Sequence, residues 1–155
     1  MTDRRPPEPE VVAATIALID RCLDDQAVGN PAIAAVERDR SDGERWFVRV
    51  LGEAKDTYSI WFEVRQRSLF FETFVMPAPE EQHAAFFEHL LHRNDEMFGM
   101  AFTVGAEAAI YLKGQLPLEA VTEEQLDRIL GSVYAYVEQF FRPALRLGFA
   151  SRMAG

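Results

Sequence analysis

The chain has 155 residues, 48% of them hydrophobic and 26% charged, with a formal net charge of −9 at pH 7. That length and composition are typical of one globular domain and exclude a disordered or disulfide-dense chain. The acidic balance argues against a nucleic-acid partner, because such binding needs clustered Lys and Arg to neutralise phosphates. No stretch approaches the ~18 consecutive apolar residues of a membrane span, and no apolar segment follows the arginines of "MTDRRPPEPE". We therefore expect a cytoplasmic protein with no membrane partner.

A first helix is indicated by apolar residues at helical spacing, namely Ile16, Ile19 and Leu23. The spacing predicts a helix from about Val11 to Gln26, which "GNP" then stops. The single cysteine, Cys22, lies among these residues and is expected to be buried and inert.

Strand signals follow. The segment "AIAAVERD" is a candidate first strand, and "SDG" is turn chemistry before "RWFVRVL", in which Trp46, Val48 and Val50 alternate with other residues. The run "SIWFEVRQRSLFFETFV" predicts a hairpin with a two-residue or four-residue connection. This register aligns the apolar residues of one side across the hairpin: Val64 with Leu69, Phe62 with Phe71, Ile60 with Thr73 and Tyr58 with Val75.

The opposite side of the same sheet then carries a second set of aromatic rings. Trp61, Phe70 and Phe74 come from the hairpin, and Phe47 comes from the preceding strand. We call these four residues the aromatic face, and they are the candidate protein-interaction site.

The second half of the chain predicts a helix, a hairpin and a long final helix. Helix two should begin near Pro79, with Glu80 and Glu81 at its positive end, and run to about Arg93. Its expected core positions are Ala84, Phe87, Leu90 and Leu91. A hairpin turning near Gly105 to Glu107 should direct inward Phe102, Val104, Ile110 and Leu112.

Helix three has the clearest start signals of the chain. Thr122 and Gln125 have capping-box spacing, Val121 and Leu126 have the spacing of a hydrophobic staple, and Pro143 should end or kink the helix. Its predicted apolar stripe is Leu126, Ile129, Leu130, Val133, Val137, Phe140 and Phe141.

These elements predict an α+β fold with one antiparallel sheet of about five strands and three helices, in the order α-β-β-β-α-β-β-α. Three of the eight prolines fall in the first ten residues. The expected organisation is a flexible N-terminal arm at 1–10, one domain at 11–149 and a C-terminal tail at 150–155.

The sequence contains no recognisable catalytic, cofactor or metal motif. His83, His89 and His92 share helix two without a metal-binding pattern, and a solvated helix face explains them. Adjacent carboxylates such as Glu123 and Glu124 do not face one another on a helix. We therefore predict no enzyme and no cofactor. The alternative is an enzyme of unrecognised type with a carboxylate or His pocket that sequence does not show.

The segments "FFEHLLHRN", "AAIYLKGQLPLEAVTEEQLDRIL" and "VEQFFRPAL" resemble the YbjN family of bacterial sensory-transduction regulators, which is similar to the type III secretion chaperone fold. The resemblance implies a helix–sheet domain that forms a homodimer and binds other polypeptides, and it supplies no catalytic residues. Leu90, Leu91, Asn94, Leu112, Leu116, Pro117 and Leu118 match the family pattern.

The expected function is a non-enzymatic, protein-binding or chaperone-like regulator that acts as a homodimer. Three occupants could cover the aromatic face: a second subunit, an unidentified polypeptide client, or a terminal helix of the same chain.

Overall fold

The computed structural model describes residues 5–153, and the remaining parts of the predicted arm and tail lie outside the described residues. The elements are α1 Pro9–Gly29, β1 Ile33–Asp39, β2 Glu44–Leu51, β3 Thr57–Val64, β4 Ser68–Met76, α2 His83–Glu96, β5 Met100–Val104, β6 Ile110–Pro117, α3 Glu123–Gly148 and α4 Ala150–Met153. Helix α1 thus begins inside the predicted arm, with its proline in the first turn, and α4 lies inside the predicted tail.

All six strands form one antiparallel sheet in the order β1-β2-β3-β4-β6-β5. The predicted α+β class is confirmed. The sheet has six strands, where about five were expected. Four strands rather than three precede α2, because the candidate segment "AIAAVERD" forms β1 along β2. Arg38 of this strand is fixed by ion pairs to Asp20 of α1 and Glu44 of β2.

The hairpin register predicted for β3 and β4 is confirmed, with Val64 opposite Leu69 and Phe62 opposite Phe71. The side of the sheet that carries these residues is buried against the apolar stripes of α1, α2 and α3 in one core. The helices therefore form one layer and the sheet a second.

Helix α3 starts as predicted and ends later than predicted. The Thr122 hydroxyl accepts a hydrogen bond from the Gln125 N–H at 3.1 Å, which confirms the cap. An end or a kink was predicted at Pro143, and the helix does not end there, because the proline lies inside a helix that continues to Gly148. Phe140 and Ala144 are buried on either side of the proline, and this packing keeps the last turns on the core.

Helix α2 begins at His83, not near Pro79. The N–H groups of Glu80 and Glu81 instead donate to the Gly148 carbonyl, at 2.9 and 3.2 Å, and so cap the end of α3. The buried residues of α2 are Phe86 and Leu90, of which Leu90 was predicted correctly.

The other core positions predicted for α2 were wrong or only partly correct. Ala84 is exposed, Leu91 is 69% exposed and Phe87 is half-buried. In the second hairpin Phe102, Ile110 and Leu112 are buried as predicted. Val104 is exposed, because it is the last residue of an edge strand.

Candidate protein-interaction face

The aromatic face lies on the side of the sheet opposite α1, α2 and α3. Phe47 and Trp61 are paired across β2 and β3, with ring centroids 4.7 Å apart in an edge-to-face arrangement. Trp61 is 46% exposed and Phe74 43% exposed, whereas Phe47 and Phe70 are half-buried. The long helices α1, α2 and α3 pack against the buried side of the sheet, away from these rings.

Phe74 and Phe70 have different surroundings. Phe74 is paired with Tyr111 of β6, with ring centroids 5.7 Å apart. Phe70 lies under the Arg65 guanidinium, whose central carbon is 3.8 Å from the ring centroid. The structure therefore leaves Trp61 and Phe74 as the open part of the aromatic face.

The acidic side chains on the central strands of this face are each neutralised. Glu63 accepts hydrogen bonds from Arg45 at 2.6 Å and Arg65 at 2.8 Å, and these bonds lower the pKa of the Glu63 carboxyl. Glu72 pairs with Lys113 at 3.3 Å. The carboxylates on β3 and β4 therefore have cationic partners from the same chain.

Trp61 and Phe74 form two walls of a pocket of about 260 Å³, which we call the Lys55 pocket. Lys55 and Tyr111 also line it, together with the backbone or side chains of Thr57, Tyr58, Ser59 and Glu72. The Lys55 ammonium lies 4.8 Å from the centroid of the Phe74 ring. The pocket thus combines aromatic walls with one cation.

A break in the sheet brings Lys55 to this position. The pairing of β4 with β6 shifts by one residue between Phe74 and Met76. The Lys55 ammonium donates to the carbonyl oxygens of Phe74 at 2.9 Å and Val75 at 2.7 Å. Lys55 therefore bonds to backbone carbonyls at the bulge and borders the open surface.

The β2–β3 loop that carries Lys55 is tied to α3. The Glu138 carboxylate accepts hydrogen bonds from the N–H groups of Glu53 at 3.1 Å and Ala54 at 2.6 Å. A Cβ on Gly52 would lie 2.2 Å from the Lys55 carbonyl oxygen and 2.3 Å from a Glu138 carboxylate oxygen. Glycine is required there, and the loop holds Lys55 in one place.

Sequence reasoning found the four rings and missed Lys55 and Tyr111. Tyr111 follows from alternation, since it lies between the inward residues Ile110 and Leu112. Lys55 has no such signal, because its position depends on a loop and on a bulge two strands away. The residues next to Lys55 in the sequence indicate neither the loop conformation nor the bulge.

The three histidines predicted on helix two differ in exposure. His83 and His92 are exposed, and burial lowers the pKa of the half-buried His89. Across residues 5–153 no three His, Cys, Asp or Glu side chains are grouped so that they could hold a metal ion. In the same range no helix is both long and apolar enough to cross a membrane.

The edges of the sheet are also relevant to binding. Asn94 of α2 accepts a hydrogen bond from the Phe102 N–H at 2.6 Å and donates to the Phe102 carbonyl at 3.2 Å. These two groups point away from β6, so Asn94 occupies the middle of the outer edge of β5. The opposite edge strand, β1, has an irregular register between Ile33 and Ala35.

The architecture is the type III secretion chaperone-like fold that the sequence resemblance implied. A chain in the "Crystal Structure of the ExsC-ExsE Complex" matches with a TM-score of 0.58 at 17% identity, over 82% of this chain and 93% of that chain. Residues 17–146 match the YbjN family, described as "Putative bacterial sensory transduction regulator". The chain belongs to the YbjN family.

Relatives of similar sequence occur in mycobacteria. An uncharacterized protein of Mycobacterium tuberculosis (strain ATCC 25618 / H37Rv) is 36% identical over 104 residues, which cover 67% of this chain and 57% of that protein. An uncharacterized protein of Mycobacterium leprae (strain TN) is 34% identical over 107 residues, covering 69% and 58%. The match thus spans less than two thirds of the length of either relative.

Proposed function

We propose that the chain is a non-enzymatic, polypeptide-binding regulator that acts as a homodimer and holds its partner on the aromatic face. The observation that carries the proposal is the exposure of Trp61 and Phe74 on a sheet whose three long helices pack on its other side. Exposed aromatic side chains of this kind supply large contact areas in protein interfaces.

The surface favours contact through the face of the sheet over addition of a strand. Asn94 blocks the middle of the β5 edge, and the regular part of the β1 edge is limited to residues 35–39, so neither edge offers a long ladder. The ExsC–ExsE structure is a complex of two different proteins by its title, and its fold likeness supports a polypeptide partner for this chain.

Charge favours a different polypeptide over the same face of a second subunit. A two-fold dimer through the aromatic face would bring the same patch of both copies together. The interface would then hold two copies each of Lys55 and the exposed Arg49, whereas Glu63 and Glu72 are already paired within each copy. Like charges at an interface are unfavourable.

The homodimer is proposed to form through α2 and β5 instead. Leu91 is 69% exposed on α2 and Val104 is 56% exposed on β5, and the Asn94–Phe102 hydrogen bonds hold these two elements side by side. Closed two-fold dimers are the commonest oligomers, and exposed apolar residues of this kind are typical of their interfaces.

The proposal is tested with the variant that combines Trp61→Ser and Phe74→Ser. Peptides selected from a random library on the wild-type protein provide the ligands, and Val28→Ser is the control, since Val28 is 92% exposed on α1. We expect the double variant to remain a folded dimer and to lose more than about tenfold in affinity, as for exposed aromatic hot spots. The control should bind normally.

Two results would contradict this function. Unchanged peptide affinity in a folded double variant would show that the aromatic face does not hold the polypeptide. Conversion of the double variant to a folded monomer would show that the face joins two subunits.

A further inference from the structure

Resting on the proposed function, we infer that the polypeptide bound to the aromatic face carries an acidic side chain whose carboxylate binds the ammonium group of Lys55. The site is the Lys55 pocket, between Trp61 and Phe74. The partner is therefore an apolar segment with a carboxylate at one defined position.

The ammonium group of Lys55 has more hydrogen-bond donors than the described chain uses. A lysine ammonium has three N–H donors and no acceptor. Two are accounted for by the carbonyl oxygens of Phe74 and Val75. Among the described residues no third hydrogen bond to Lys55 is formed, and Lys55 borders an open pocket of about 260 Å³. One donor is therefore available to a ligand.

Lys55 has no counter-ion among residues 5–153. Charged groups withdrawn from water are normally paired with the opposite charge. Burial lowers the pKa of Lys55 to about 8, and no nearby carboxylate counteracts that effect. The carboxylate that lines the same pocket, Glu72, is paired with Lys113. No residue within 5–153 forms an ion pair with Lys55, which leaves that place to a partner.

The bulge explains part of the role of Lys55, but not its charge. A neutral amide side chain can also donate to a backbone carbonyl, and it does so without the cost of burying an ammonium. The positive charge is favourable if an anion accepts the third hydrogen bond of the ammonium group, beside the two carbonyl oxygens. The Glu138 and Gly52 contacts already fix the loop, so Lys55 is positioned before a ligand arrives.

The chain contains a matched control for this inference. Arg49 is exposed on the same side of the sheet and does not line the Lys55 pocket, whereas removal of Lys113 would leave Glu72 of that pocket unpaired. Lys55→Gln and Arg49→Gln therefore each remove one positive charge from the same side, once inside the pocket and once outside it. Lys55→Arg keeps the charge.

The experiment selects peptides from a random library on three immobilised proteins: wild type, Lys55→Gln and Arg49→Gln. We expect Asp or Glu to be enriched at one position by wild type and by Arg49→Gln, and not by Lys55→Gln. A selected peptide is then remade with Gln for its Glu, or Asn for its Asp. On wild type this exchange should weaken binding about tenfold, as for loss of a charge-assisted hydrogen bond, and on Lys55→Gln it should have no effect.

The outcomes separate the inference from the function on which it rests. Peptides that bind through Trp61 and Phe74 without acidic enrichment would overturn the inference and leave the proposed function intact. Failure of wild type to select any peptide dependent on those rings would overturn the proposed function as well. If Lys55→Gln does not fold, the exchange of Glu for Gln on the wild-type protein still decides, because equal affinity for both peptides overturns the inference.

Discussion

At the scale of single residues, Lys55 is bonded to the backbone of the sheet and also borders its open surface. Its ammonium group bonds two carbonyls of β4 and lies near the rings of Phe74 and Phe141, at 4.8 and 5.6 Å from their centroids. Cation–π contacts and carbonyl hydrogen bonds stabilise the charged form, while burial opposes it. The pKa of Lys55 that results from these opposing effects can be measured by titration.

We predict that Lys55 titrates at about pH 8, below the ordinary lysine value of 10.5. In ¹³C-lysine-labelled protein, one of the two Cε resonances should shift near pH 8, and Lys55→Arg should remove that resonance. Because the unfolded chain binds more protons between pH 8 and 10.5, the free energy of unfolding should rise with pH across this window. Titration of both resonances near 10.5 would contradict the prediction.

The limits of sequence reasoning are visible in individual side chains. Trp61 and Phe74 follow from strand alternation, which depends only on local geometry. Leu91 was assigned to the core and is exposed, because the buried side of α2 carries Phe86 and Leu90. The start of α2 was predicted too early, and the N–H groups of the residues before it bond to Gly148, far away in the chain.

At the scale of secondary-structure elements, the side chain of Asn94 substitutes for a neighbouring strand. It satisfies the outward N–H and C=O groups of Phe102 in the way that a paired strand would. The edge of β5 is thereby joined to α2. This contact stabilises the sheet and limits edge-to-edge association.

We predict that Asn94→Asp lowers the free energy of unfolding by ~1–3 kcal/mol, since one hydrogen bond is lost and a negative charge is placed in the last turn of a helix. Urea unfolding measures the change. Asp95→Asn, at the exposed neighbouring position, should shift stability by no more than ~0.5 kcal/mol. Equal stability of Asn94→Asp and wild type would mean that the edge contact is unimportant.

The elements themselves could be predicted where local signals were complete. Thr122 and Gln125 located the start of α3, and alternation set the register of β3 with β4. The segment of β1 has weak alternation, and its pairing depends on β2 and on the ion pair of Arg38 with Asp20. Strand pairing and helix capping by residues distant in the chain leave no signal in the neighbouring sequence. These features were therefore found only in the structure.

At the scale of the whole molecule, the two proposed contacts lie in different places. The aromatic face is one side of the central sheet, whereas Leu91 and Val104 belong to α2 and the edge strand β5. Oligomerisation and partner binding should therefore respond to different substitutions.

We predict that Leu91→Asp weakens the homodimer by more than about tenfold and leaves peptide affinity unchanged, because a charge is placed in the proposed apolar contact. Mass in solution over a range of protein concentrations measures the first effect. Ala85→Asp, also exposed on α2, is the control and should dimerise normally. A wild-type chain that is monomeric throughout, or a Leu91→Asp dimer of unchanged strength, would refute the proposed dimer contact.

The distribution of lysine has a practical consequence for experiments on this protein. The chain contains 14 arginines and two lysines, and both lysines lie on the same side of the sheet as the aromatic face. Amine-directed reagents will therefore modify that side and, apart from the α-amino group, no other amine. Coupling through amines would mask the proposed binding surface, whereas amine-to-carboxylate cross-linking would preferentially capture whatever occupies it.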